Sequence, residues 1–151
     1  MPSFRTTRTV PHSAAEMFDL VADVERYPDF LPLCQSLVVR RRSSLPTGEE
    51  VLTADMRVGY KAIRESFTSR VTLDRAGSAI LVEYVDGPFR SLENRWTFTD
   101  VPDAPGSSTI AFYITYEFKS RMLGLMMGSM FESAFRRFAE AFERQAGKVY
   151  G

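Results

Sequence analysis

A chain of 151 residues and 17.1 kDa has the size of one domain, able to bury roughly two-thirds of the surface its unfolded form exposes. Apolar residues make up 44% and charged residues 25%, which excludes wholesale disorder, collagen-like repeats and a disulfide scaffold. Nineteen basic residues balance nineteen acidic ones, removing the global positive field of sequence-independent nucleic-acid and DNA binders, and a single cysteine and histidine fit a structural zinc site poorly.

Residues 3–10, SFRTTRTV, are β-branched and aromatic and stop at Pro11, which predicts a first strand. Ser13 to Glu16 fits a capping box, and Met17, Leu20, Val21 and Val24 follow at helical spacing, so a helix begins there and fades near 23–26. The prolines of Tyr27-Pro28-Asp29-Phe30-Leu31-Pro32 limit a second helix to about one turn, and its large apolar side chains call for a core or a cavity. From about 36 to 118 the period becomes two, with turn signals at 45–48, 75–78, 86–88 and 102–106. Leu52, Ala54, Met56 and Val58 lie on one face, as do Phe67, Val71 and Leu73, then Leu92, Trp96 and Phe98, then Ile110 to Phe118 in steps of two. This predicts an antiparallel meander of about seven strands, the first included, apolar on one face.

The region 120–145 is proline-free, is bounded by Gly147 and reads as a long helix. Leu123, Met127, Met130, Phe131, Ala134, Phe138, Ala141 and Phe142 form its apolar stripe. The whole is an α+β fold, a single domain over 1–151, in which a curved sheet wraps round the C-terminal helix. A gap between sheet and helix would be lined by both. The methionines between Met122 and Met130, beside Gly124 and Gly128, offer adaptable apolar packing for a ligand, although such a stripe also serves as plain core.

Catalytic signals are thin. His12 precedes the helix cap, as an exposed or structural residue, and Cys34 has no second histidine to pair with. Glu65, Glu83, Glu93 and Glu117 share their strands with arginines, which points to solvated ion pairs. Alternation sends Arg41 to the opposite face from Arg40 and Arg42, as at a solvated strand end, with an RNA contact as the other reading of this basic run. No signal-peptide core and no membrane span are evident, so a cytoplasmic protein is expected. A peripheral lipid contact through an apolar helix end or the 27–32 segment is compatible with this.

Several stretches, Tyr27 to Cys34, Gly59 to Val71, Gly87 to Arg90, Leu92 to Trp96 and Phe118 to Arg121, resemble the coenzyme Q-binding START-domain family, in order along essentially the whole chain. Its members include mitochondrial coenzyme Q chaperones and bacterial ribosome association toxins. The resemblance implies a helix-grip fold with a hydrophobic tunnel for ubiquinone or a similar polyprenyl lipid. It also implies a carrier or chaperone that serves respiration and is not an enzyme, with no required cofactor, working in the cytoplasm or peripherally at an inner membrane.

Alternation then places Met56, Val58, Phe67, Trp96, Met127, Met130 and Phe131 around the cavity, with Tyr27, Phe30, Leu31 and Phe89 near its mouth. The Trp96 indole needs an acceptor, either a protein carbonyl or a quinone carbonyl. Phe89, after the Gly87-Pro88 turn, either caps the opening or faces the core. A ribosome-binding regulator that opposes subunit association, meeting the large subunit through Arg40 to Arg42, is the alternative function. A polyketide cyclase on the same fold would need acid–base groups inside the cavity, where the inward positions are mostly apolar.

Overall fold

The computed structural model describes residues 2–60 and 62–151; Lys61, within one of the stretches quoted above, lies outside the described residues. Strand β1 (Ser3–Val10) ends at Pro11, and α1 (Ala14–Ala22) opens through the complete capping box. The Glu16 amide donates to Ser13 Oγ at 3.1 Å while the Ser13 amide donates to Glu16 Oε1 at 3.0 Å. A second acceptor comes from across the fold: Asp100 Oδ1 takes the Ala14 amide at 2.8 Å. A 3₁₀ segment, Val24–Asp29, follows and contains Pro28.

The meander then runs through β2 (Cys34–Ser44), β3 (Glu50–Tyr60), β4 (Ile63–Asp74), β5 (Ala79–Asp86), β6 (Phe89–Asp100) and β7 (Ser108–Phe118), and α2 (Arg121–Tyr150) closes the chain. One antiparallel sheet results, with spatial order β1-β7-β6-β5-β4-β3-β2. Register shifts in β2, in the β4–β5 ladder and near Phe89 help to curve it, because each bulge bends its strand. The helix lies in the resulting concavity, which is the helix-grip arrangement that the resemblance implies.

Two local expectations change, and one left open between exposed and structural is decided. First, α2 does not stop before Gly147 but continues to Tyr150. Glycine ends a helix when it turns left-handed, and the left-handed glycine is Gly151, at φ +82°, whose amide bonds Gly147 O. The added turn is anchored by Tyr150, whose hydroxyl donates to Glu16 O at 3.1 Å. Second, His12 is not exposed; it is 6% exposed, with its ring 6.1 Å from that of Tyr150, and is structural. Third, the bulge between Val39 and Arg41 breaks the alternation, so Arg40, ion-paired to Asp55, shares the outer face with Arg41, which stands opposite Thr53. Arg42 reaches Glu25 and Glu50 at 2.7 and 3.1 Å.

The helix does not sit centrally in the sheet. It runs closest to β1, β7 and α1, and α1 covers β5, β6 and β7, so the inner face of β3 and β4 has neither helix close against it. The β5–β6 ladder is also incomplete, pairing Ala79–Glu83 with 93–97 only. Beyond that point Tyr84 substitutes for the ladder, its hydroxyl accepting the Phe89 amide at 3.1 Å. Gly87, at φ +143°, packs so tightly there that an added Cβ would fall 2.6 Å from Phe67 Cβ.

Two stability measurements test this account. Ser13→Ala is expected to lower unfolding free energy by about 1 kcal/mol in urea titrations, through loss of the cap. Gly87→Ala is expected to be destabilising by about 1–3 kcal/mol from its backbone alone. Because Gly48, at φ +104°, has nothing within 4 Å of its added Cβ, Gly48→Ala should show the backbone effect without the clash and be the milder of the two.

Candidate functional site

The inward residues of β3 to β7, the aromatic face of α2 and the segment from Val24 to Leu37 enclose a cavity of about 100 Å³. From the sheet come Ala54, Met56, Val58, Phe67, Val71, Ile80, Val82, Leu92, Phe112 and Ile114, and from the helix Phe131, Phe135, Phe138 and Phe142. These phenylalanines recur every three or four residues, so one face of α2 presents a column of rings. Phe131 stacks on Phe118 at 5.5 Å, Phe135 meets Tyr116 at 5.5 Å, and Phe142 meets Trp96 edge-on at 5.0 Å. Edge-to-face and offset pairs at these separations are favourable beyond the area they bury.

Polar atoms in the lining are few and mostly satisfied from within. Trp96 Nε1 donates to Asn94 Oδ1 at 2.8 Å, and Asn94 Nδ2 donates in turn to Tyr113 O at 2.9 Å. The indole acceptor is therefore a protein carbonyl, that of a side-chain amide. Tyr27 donates its hydroxyl to Val21 O, and burial pushes that phenol well above its ordinary range. Burial also pushes the Cys34 thiol up to about 11, so it stays protonated at neutral pH. The Ser69 hydroxyl has no hydrogen-bond partner among the described residues. Among the described residues the lining holds no carboxylate, imidazole, amine or guanidinium, and no metal-binding cluster exists.

Eight of the eleven residues that alternation selects line this cavity: Tyr27, Leu31, Met56, Val58, Phe67, Phe89, Trp96 and Phe131. Phe89 is 2% exposed and faces the core, with its ring 5.4 Å from Phe67 and 4.8 Å from Phe118. The other three, Phe30, Met127 and Met130, do not line it. Phe30 packs outside, its ring against those of Tyr27 and Phe142 at 6.1 and 5.1 Å. Met127 is fully buried, but it lies roughly 50° round the helix from the phenylalanine column, in line with Ala134 and Ala141, and Met130 lies roughly 110° away.

The residues missing from that selection are instructive. Phe135 follows the stripe but was not counted in it, and Ser69 and Asn94 are polar residues in inward register, between Phe67 and Val71 and between Leu92 and Trp96. A polar side chain at an inward position was the available signal for both. Cys34 enters the lining because β2 begins opposite Val58, beside the hydrogen bond from the Gly59 amide to Leu33 O at 3.0 Å.

Comparison with known proteins agrees with this geometry. The family described as polyketide cyclase / dehydrase and lipid transport matches residues 10–143. The ribosome association toxin RatA of Escherichia coli K12 is 34% identical, over 99% of this chain and 90% of its own length. The mitochondrial coenzyme Q-binding protein COQ10 homolog B of Xenopus laevis is 28% identical over 98% of this chain, which spans 59% of that protein. Among solved structures, an 18 kDa protein from Caulobacter crescentus superposes with a TM-score of 0.80 at 28% identity, covering 100% of this chain and 99% of that one. The Zhui aromatase/cyclase of Streptomyces shares the fold at a TM-score of 0.73 and 18% identity, over 97% of this chain and 94% of its own. With a family match over most of its length, and a cavity between curved sheet and long helix, the chain belongs to the polyketide cyclase / dehydrase and lipid transport family.

Proposed function

We propose that this protein is a non-catalytic carrier of a polyprenyl lipid of the ubiquinone type, holding the tail in the cavity and supporting respiratory electron transport from the cytoplasmic side of a membrane. The observation that carries this reading is the lining: nearly every side chain is aliphatic or aromatic, and none is a charged acid or base. Burial of each CH₂ unit supplies about 0.8 kcal/mol, so a tail binds without directional contacts. Two polar groups suit a quinone carbonyl, the unpartnered Ser69 hydroxyl and the second N–H of Asn94 Nδ2. The description of the family as lipid transport and the name of the coenzyme Q-binding relative support the same reading. A cyclase on this fold would need a group able to give or take a proton near neutral pH against its substrate; the titratable side chains of this lining, Tyr27 and Cys34, are both pushed upward by burial and stay protonated there.

At about 100 Å³ the cavity is smaller than the ~150 Å³ that holds one benzene. Loading a chain therefore requires the walls to part. The ring contacts of Phe131 with Phe89 and Phe118 are apolar and interchangeable, and give way at less expense than a hydrogen-bonded wall would.

The name shared by several relatives favours a second reading, a regulator bound to the large ribosomal subunit. Arg40 to Arg42 serve it poorly, since Arg40 and Arg42 are already ion-paired to Asp55, Glu25 and Glu50.

Protein purified without detergent is expected to release a stoichiometric polyprenyl quinone into an organic extract read by mass spectrometry. Val82→Phe, which fills the cavity, should lose it, whereas Val82→Ala should keep it; equal loading of both folded variants overturns the site. Alkylation of Cys34 in ligand-free protein should be slow at pH 7 and rise about tenfold per pH unit until about pH 11, and added quinone should slow it further at every pH. An empty extract together with unprotected Cys34 in a direct titration, alongside cosedimentation with large ribosomal subunits at low salt, would favour the second reading.

A further inference from the structure

The first turns of α2 are apolar on two sides. One side is the column above the cavity; on nearly the opposite side Met122, Leu125 and Met126 are 71%, 80% and 54% exposed. A helix that is apolar beyond its core face is normally covered on that face too, and among the described residues none covers these three. They stand at the end of the sheet that carries the β3–β4 and β5–β6 connections, to which the start of α2 is tied by the Lys119 amide donating to Pro88 O at 2.9 Å.

Exposed cations without acidic partners stand beside this face. Arg90, Lys119 and Arg121 are exposed, and none forms an ion pair with another described residue. The first turn of α2 contains no acid, so the positive end of the helix adds to the same field. The acids of this end are on strands: Asp86 and Glu117 near the ends of β5 and β7, and Glu65 opposite Val58 in the inward register, on the helix side of the sheet.

We propose that this face docks on an anionic phospholipid surface, with Met122, Leu125 and Met126 entering the headgroup layer and Arg90, Lys119 and Arg121 meeting the phosphates. Apolar side chains on an exposed helix turn, ringed by unpaired cations, fit an interfacial contact and not a span; no described helix is long and apolar enough to cross a membrane. The cavity is lined at this same end by Leu33, Cys34, Val58 and Phe89, so a lipid leaving the surface reaches the apolar lining without crossing bulk water. The docking rests on the exposed face and stands whatever the cavity carries.

Flotation with vesicles tests it, using phosphatidylcholine alone or with about one-third phosphatidylglycerol at low salt. The native chain should float with the anionic vesicles and much less with the neutral ones. The triple variant Met122→Ser/Leu125→Ser/Met126→Ser should lose about 100-fold in partitioning with an unchanged melting temperature. Arg90→Gln/Lys119→Gln/Arg121→Gln should lose about fivefold per charge on anionic vesicles and nothing on neutral ones. Val82→Phe, emptied of lipid, should float as the native chain does, which separates failure of the docking from failure of the carrier reading. A native chain that stays at the bottom with anionic vesicles, or a serine variant that floats unchanged, overturns the proposal. So does a native chain that ignores vesicles while the serine variant loses sedimentation with ribosomal subunits, which would make the face a protein-docking surface.

Discussion

The off-centre seat of α2 is the constraint on which the cavity depends. Its aromatic column meets Tyr116 and Phe118 of β7 and Trp96 of β6, and its C-terminal turn is tied to α1 by Tyr150. Those contacts hold the helix toward one side of a curved sheet. The inward side chains of β3 and β4 then have neither helix close against them, and close packing fails there. A well-packed interior seldom leaves such space; here it arises because the helix is fixed at a flank and the bulges bend the far strands away from it.

Binding by shape and apolar area follows from the same arrangement. Most polar groups in the lining are chained to one another, Trp96 to Asn94 to the Tyr113 carbonyl, and add no charge, while the Ser69 hydroxyl and one N–H of Asn94 are left for a ligand. Cys34 is kept as a neutral thiol by its burial. An interior in this condition presents apolar surface and neutral polar groups, with no carboxylate, imidazole, amine or guanidinium among its described residues. The members of the fold that are named as aromatase/cyclases share the frame, and chemistry on a shared frame depends on which side chains point inward.

Most of the frame was legible in the chain. Period-two alternation marked the inward face of β3, β4, β6 and β7, and Ser13 with Glu16 marked the start of α1 to the residue, because these signals are local: a pleat and a helix turn repeat at fixed spacing. The failures were equally local in cause. Gly147 looked like a stop, yet a glycine ends a helix only by its backbone angle, and the neighbouring Ala146 and Tyr150 had contacts that kept the helix going. Arg41 was assigned a face by counting, which a single bulged residue invalidates.

The candidate site divides the same way. Inward strand positions such as Met56, Val58, Phe67 and Trp96 could be read from alternation, since a strand has only two faces. A helix has a continuous circumference, and the sequence shows that α2 is apolar over a wide arc without saying which part meets the cavity. Only the tertiary seat of the helix decided that Phe131, Phe135, Phe138 and Phe142 face the space, that Met127 is core, and that Met122 and Met126 are left outside. Sequence by itself determined the order, type and buried face of the elements, through periodicities set by backbone geometry. The cavity came from the tertiary structure alone, because its position is the difference between a bent sheet and a displaced helix, and neither displacement is written in any one segment.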